Sequence, residues 1–200
     1  QPPPLAARWF SRWRRRLVDR ADLHGSRRWW SVFRVEGAAH DWSRVVWPDL
    51  SRRPSAVVLA AGDRTVPLNS CYVARGPSDD DAAALAALLH APPIAAWLRA
   101  FAEPARGGYR RYLAWTMALL PIPAPWSRAR ECLAPAARAA TRGEAVGDDE
   151  LTAMVADAFR IPPAELEPLI AWAAWAAGRS APRKVLEPDG INDPARHSAR

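Results

Sequence analysis

The sequence is poor in several features, and each shortage excludes a class of protein. Its two cysteines, Cys71 and Cys132, are too few and too far apart for a metal cluster or a disulfide framework. No apolar stretch is long enough to cross a bilayer, so we expect a cytoplasmic protein without a membrane partner. No Gly-x-Gly sequence occurs, which excludes a glycine-rich turn that binds a nucleotide cofactor.

Positive charge is concentrated at the start of the chain. Residues 1–60 contain twelve arginines against five acidic residues, whereas residues 61–200 contain sixteen basic and sixteen acidic residues. The net charge of +7 therefore belongs entirely to the first part. Such asymmetry favours binding to a polyanion, because neutralised phosphates release their counterions. A merely solvated basic face explains the same composition equally well.

Residues 1–25 are predicted to form a basic amphipathic helix. Apolar side chains recur every four positions, at Leu5, Trp9, Trp13 and Leu17. This spacing is typical of a helix with one apolar face, and the other face is rich in arginine. Because the chain begins with Gln1 and not with methionine, we expect a longer polypeptide upstream, to which this helix is a linker.

Residues 26–125 are predicted to form a small β-rich domain with flanking helices, which makes the fold class α+β. Apolar and β-branched runs at 45–47, 56–60 and 71–75 are bounded by turn-forming residues and predict strands. Ser78 precedes three aspartates, a pattern typical of a helix N-terminus, and the helix should end near His90.

Residues 126–178 are predicted to be helical and to end in a pair of short helices. A break around Gly143 and Gly147 precedes one helix, and Pro162 and Pro163 open the next. Residues 179–200 contain several prolines and few apolar residues, so we expect a disordered tail.

Several motifs occur in a fixed order between Trp29 and Pro123. They are the Trp29-Trp30 pair, strands at 44–49 and 66–73, a helix at 84–90, the loop 106–109 and the closing segment 120–123. This order resembles the C-terminal target-recognition domain of adenine-specific DNA methyltransferases from type II, type IIG and related restriction-modification and phage-defence systems. Segments 149–151 and 159–166 are similar to the small helical tail of such enzymes.

The resemblance implies sequence-specific binding of double-stranded DNA, beside an upstream catalytic methyltransferase domain. In that family the catalytic part transfers a methyl group from S-adenosylmethionine to an adenine that is flipped out of the duplex. A motif of a polar residue followed by Pro-Pro-aromatic holds this adenine. The pairs Pro92-Pro93 and Pro162-Pro163 have neither the polar residue nor the aromatic one. We therefore assign no catalytic, metal or cofactor-binding residue to this chain, and we expect S-adenosylmethionine only in the parent enzyme.

The candidate DNA contacts centre on the loop at 106–111. Its two glycines let the backbone approach a phosphate, and its arginines suit phosphate oxygens or the guanine edge. The full set is Arg106, Gly107, Gly108, Tyr109, Arg110, Arg111, Arg27, Arg28 and Arg44. A tight connector with solvated arginines is the alternative interpretation of the loop.

Two other functions fit the sequence. The chain could be a detached specificity subunit, or it could be a protein-interaction module that uses its eleven tryptophans and binds no nucleic acid. A specificity subunit should bind a DNA duplex at low salt, whereas the protein-interaction module should not.

Overall fold

A computed structural model describes residues 2–23, 28–31 and 35–179 of the chain. Within these ranges it contains eight α-helices and two three-stranded antiparallel sheets, which confirms the predicted α+β fold class. Most of the predicted tail, residues 180–200, lies outside the described residues, and Arg179 ends the last helix.

The helices are α1 Pro4–Ser11, α2 Arg14–Val18, α3 Asp79–His90, α4 Pro92–Phe101, α5 Ala114–Met117, α6 Trp126–Thr141, α7 Asp148–Phe159 and α8 Pro163–Arg179. The strands are β1 Arg44–Pro48, β2 Leu50–Ser51, β3 Val57–Leu59, β4 Cys71–Arg75, β5 Glu103–Pro104 and β6 Arg110–Arg111. Three short 3-10 turns occur at Ala21–Leu23, Glu36–Ala38 and Arg106–Gly108.

The first sheet has the order β3-β1-β4, with β1 in the centre. Val45 pairs with Val58 on one side, and Val46 pairs with Val73 on the other. These three strands confirm the three predicted from the sequence. The second sheet, β2-β6-β5, was not predicted, because strands of two residues are too short to show an alternating pattern.

The core lies between α3 and α6 and extends to the first sheet. Ala84 and Leu88 of α3 and Leu133 of α6 are fully buried, and the alanine-rich surface of α3 lets α6 lie close to it. The same cluster of buried side chains includes Val45 of β1 and Val155 of α7. Residues on both sides of position 125, the predicted domain boundary, therefore share one hydrophobic core.

The N-terminus of α3 carries a buried carboxylate network. Ser78 is the N-cap, as predicted, and its Oγ accepts a hydrogen bond from the backbone N–H of Asp81 at 3.1 Å. The Asp81 carboxylate accepts from Ser78 Oγ at 2.6 Å and from Trp126 Nε1 of α6 at 2.7 Å. The Ser78 hydrogen bond is the main cause that lowers the pKa of Asp81, so this carboxylate joins α3 to α6 in its charged form.

Both proline pairs mark helix starts. Pro92 occupies the first turn of α4, where its missing N–H leaves no hydrogen bond unmade, and Pro163 begins α8. In the described part of the chain, no single helix has the length and apolar character needed to span a bilayer. The two helices that satisfy these criteria together, α3 and α4, are bent by 73° relative to each other.

The predicted continuous helix near the N-terminus is wrong. The backbone leaves the helical conformation at Trp13, which separates α1 from α2. Arg12 and Arg16 stand four residues apart, and like charges at this spacing disfavour one continuous helix. The predicted apolar row is also exposed, since Leu5, Trp9 and Trp13 are all largely accessible to solvent.

Candidate nucleic-acid interface

The predicted DNA-binding loop is the turn of a small β-hairpin. Strands β5 and β6 pair antiparallel, with Glu103 opposite Arg111 and Pro104 opposite Arg110. The backbone of Gly107 has φ = 72° and that of Gly108 has φ = 80°, a left-handed conformation that favours glycine. The sequence pattern thus identified a tight turn, and the glycines serve its backbone geometry.

The hairpin is anchored to the core through the residue that follows β6. Tyr112 is buried, its N–H donates to the carbonyl of Asp49 at 2.7 Å, and its carbonyl accepts from Trp47 Nε1 at 2.9 Å. Trp47 belongs to β1 and stacks on Tyr72 of β4, with ring centroids 5.9 Å apart. The second sheet is therefore fixed to the first sheet by buried hydrogen bonds.

We use the name hairpin surface for five side chains on and beside the second sheet. They are Arg52, Arg106, Tyr109, Arg110 and Arg111. The guanidinium of Arg52 lies over the ring of Tyr109, 5.3 Å from its centroid. This cation–π contact holds the segment after β2 beside the hairpin turn.

The four arginines of the hairpin surface differ in their internal contacts. Arg110 is half-buried, and its Nη1 donates to the carbonyl of Ala102 at 2.9 Å. Arg111 donates to Asp49 Oδ2 at 3.1 Å, although about half of its side chain remains exposed. Arg106, at the turn, and Arg52 are exposed. Arg52 and Arg106 are thus the arginines best placed to reach a bound molecule.

Arg44 does not belong to this surface, and its assignment as a DNA contact needs correction. It has 0% exposure at the centre of the first sheet. Its guanidinium donates to the carbonyls of Gly37 and Thr65, both at 2.9 Å, and to that of Asp63 at 2.5 Å. Arg44 therefore organises three chain segments internally and cannot reach a phosphate.

The structure describes only one residue of the predicted DNA-binding pair Arg27 and Arg28. Arg27 lies outside the described residues, and Arg28 is exposed at the start of the segment 28–31. This segment packs beside the N-terminal helices, because Arg20 Nη2 donates to the carbonyl of Ser31 at 2.6 Å. Arg14 lies 5.6 Å from the ring centroid of Trp29, so one face of this ring contacts a guanidinium.

Sequence reasoning missed Arg52 and its neighbour Arg53. Arg52 reaches the hairpin because β2 pairs with β6, Leu50 opposite Arg111 and Ser51 opposite Arg110. A strand of two residues gives no periodic signal, so the sequence offered no means of placing it. Arg53 instead forms an ion pair with Asp148 of α7, in which Nη1 and Oδ2 are 3.2 Å apart.

Comparison with known proteins adds no relative to this picture. No protein-family model matches the chain, and no curated protein matches its sequence. The function is therefore argued from the geometry of the chain itself.

Proposed function

We propose that the hairpin surface binds double-stranded DNA, and that the chain is the target-recognition part of an adenine-specific DNA methyltransferase of a restriction-modification or phage-defence system. The observation that carries the proposal is the pair of exposed arginines at the hairpin turn, Arg106 on the turn itself and Arg52 over the Tyr109 ring, on a hairpin fixed to the core by Tyr112. A rigid support limits the entropy lost when these long side chains meet a ligand.

The major groove of DNA admits a two-stranded β-ribbon, and the hairpin β5–β6 is such a ribbon. Arg106, at the turn, is the residue placed to reach a base edge, where an arginine fork pairs with guanine O6 and N7. Arg52, beside the turn, and Arg111, at the end of β6, would contact phosphates and set the register on the duplex. Asp49 beside Arg111 would weaken its phosphate contact, so we assign Arg111 a smaller share of the affinity.

Methyl transfer belongs, in this proposal, to the upstream catalytic domain. The proline pairs at the starts of α4 and α8 do not fit the motif that holds a flipped adenine, because no aromatic residue follows either pair. We derive no catalytic step from them. The chain supplies recognition, and the parent enzyme supplies the cofactor.

The test is duplex binding by fluorescence anisotropy, with a labelled duplex at about 50 mM salt, where phosphate contacts are strong. Arg52→Ala combined with Arg106→Ala should weaken binding about tenfold or more, since each charge-assisted contact contributes about 1.5–3 kcal/mol at most. These two positions are preferred to Arg110 and Arg111, whose internal contacts would also be lost.

The matched control removes two exposed arginines elsewhere, Arg64→Ala combined with Arg142→Ala. Both double variants have the same net charge, so a difference between them reports position and not total charge. Equal affinities of the two double variants for the duplex would contradict the proposal.

An exposed aromatic patch favours the second candidate function, a tryptophan-mediated protein-interaction module. Trp97 and Phe101 of α4 have ring centroids 5.3 Å apart, and Trp97 Nε1 donates to the carbonyl of Leu119 beyond α5. Trp115 of α5 is 50% exposed. Exposed aromatic groups of this size are typical of binding surfaces, and the partner in this alternative is a protein and not a nucleic acid.

The two functions are separated by paired measurements. The interaction module is selected if the chain binds no duplex at low salt and if Trp115→Ser weakens the binding of a protein partner that the wild-type chain binds. DNA recognition is selected if the duplex binds and Trp115→Ser leaves the duplex affinity unchanged.

A further inference from the structure

A pocket of about 240 Å³ lies where α4 and α8 meet the ends of the second sheet. Arg99 of α4 lines it together with Arg52, Arg53 and Tyr112. The wall formed by α8 is made of small apolar side chains, among them Ala173. The pocket thus combines a cationic end with an apolar wall.

Arg99 is the unusual residue of this pocket. It is only 5% exposed, and within the described residues its Nε and Nη2 atoms have no hydrogen-bond partner. Burial lowers the pKa of Arg99, and the positive charge of Arg110 nearby lowers it further. A buried guanidinium with unpaired N–H groups is energetically costly, and an anion beside it would offset both effects.

The other charged groups leave the pocket with an excess of positive charge. Asp148 is the acidic side chain among the lining residues, and it is paired with Arg53 at 3.2 Å. Burial raises the pKa of Tyr112 to about 12, so its hydroxyl stays protonated at neutral pH and remains a hydrogen-bond donor. Donors from Arg99, Arg52 and Tyr112 therefore line one end.

We propose that this pocket binds a small organic anion, with a carboxylate or phosphate group beside Arg99 and a compact apolar body against α8. Arginine forks are suited to both head groups, because their parallel N–H groups match two anionic oxygens. The pocket is smaller than those that hold drug-sized ligands, so the ligand has few atoms. The site goes beyond the proposed DNA binding and does not depend on it.

The test is thermal unfolding of the whole chain with benzoate or phenyl phosphate as probe, and with benzyl alcohol as the neutral control. At least one of the two anions should raise Tm in a concentration-dependent manner, because a ligand of the folded state stabilises it by mass action. Benzyl alcohol should have no such effect. The anion that acts identifies the head group.

Arg99→Met is the decisive variant. It removes the charge and keeps an apolar side chain of similar length, so Tm without anion should stay the same or rise. Its affinity for the active anion should fall about tenfold or more, as expected when a charge-assisted hydrogen bond is lost. Arg142→Met, outside the pocket, is the matched control and should bind like the wild-type chain.

A second variant keeps the proposal testable if Arg99→Met does not fold. Ala173→Phe places a large side chain in the apolar wall at a half-exposed position of α8, and it should abolish the anion effect while Arg99 stays in place. The proposal is overturned if neither anion changes the Tm of the wild-type chain. It is also overturned if the shift persists in whichever of the two pocket variants folds.

Discussion

Arg44 and Arg111, on the central strands of the two small sheets, have opposite environments. In the first sheet, Arg44 is enclosed on the central strand and donates to three backbone carbonyls. In the second sheet, Arg111 of the central strand is half-exposed and faces one carboxylate, that of Asp49. The comparison teaches that the position of an arginine in a sheet decides its role, and that the number of arginines in a segment does not.

The basic excess of residues 1–60 illustrates this lesson. Arg44 is internal, Arg14 contacts the Trp29 ring, and Arg20 is bound to Asp22 at 3.1 Å. Arg52, in contrast, is exposed beside the hairpin turn. Part of the charge asymmetry therefore reflects internal contacts, and the surface that we propose for DNA includes arginines from both halves of the chain.

The largest predicted effect on stability concerns Arg44, and it tests whether this arginine is structural. Arg44→Ala should lower the free energy of unfolding by about 3–5 kcal/mol, because it leaves a cavity and three part-buried carbonyls without their donor. The measurement is urea denaturation followed by circular dichroism.

The control for Arg44 is Arg75→Ala on the neighbouring strand. Arg75 is paired with Arg44 in the sheet register but is exposed, and it lies over the Trp42 ring at 4.2 Å. Its replacement should cost about 1 kcal/mol or less. Similar losses in the two variants would show that burial does not distinguish these arginines.

The next effect concerns the junction between the first sheet and α3. A Cβ atom at Gly76 would lie 2.7 Å from the Cβ of Ala82 and 3.0 Å from the carbonyl oxygen of Ser78. Gly76→Ala should therefore lower the free energy of unfolding by about 1–3 kcal/mol through overpacking. Chemical denaturation measures this loss, and an unchanged midpoint would contradict the tight junction.

The buried carboxylate of the core predicts a pH effect. The lowered pKa of Asp81 means that its stabilisation is present above the unfolded-state pKa and is lost as the pH falls through the folded-state value. Asp81→Asn should cost about 1–2 kcal/mol at neutral pH, because charge-assisted hydrogen bonds to Ser78 and Trp126 are weakened.

The readout for Asp81 is the free energy of unfolding at pH 7 and at acid pH. The difference between the wild-type chain and Asp81→Asn should shrink below about pH 4, where the unfolded carboxyl is protonated. A difference that stays constant down to acid pH would contradict the role assigned to the charged form.

The smallest predicted stability effect concerns the hairpin turn. Gly107→Ala should cost about 1 kcal/mol, because its φ of 72° disfavours a side chain while its Cβ would meet only the Tyr109 ring at 3.6 Å. Gly178→Ala is the control, since Gly178 lies in α8 and a Cβ there meets nothing within 4 Å. The control should be neutral or slightly stabilising in the same denaturation assay.

The sequence predicted secondary structure correctly where neighbouring residues form a clear pattern. The run of apolar residues at 45–47 and the Ser78 cap with its aspartates predicted β1 and α3 correctly. It was uninformative about which arginines are buried, because burial depends on strand register and no local feature distinguishes the buried Arg44 from the exposed Arg52. A loop at Gly107 and Gly108 was predicted, whereas the hairpin around it and the third strand of its sheet needed the tertiary structure.

The most direct test of the central claim is the salt dependence of duplex affinity. Each phosphate contact contributes about 0.9 to the slope of log K against log salt concentration, so Arg52→Ala with Arg106→Ala, which removes the phosphate contact assigned to Arg52, should reduce the slope by about 1. The control pair Arg64→Ala with Arg142→Ala should keep the wild-type slope. Identical slopes for the wild-type chain and the hairpin double variant would contradict the assignment of the hairpin surface to DNA.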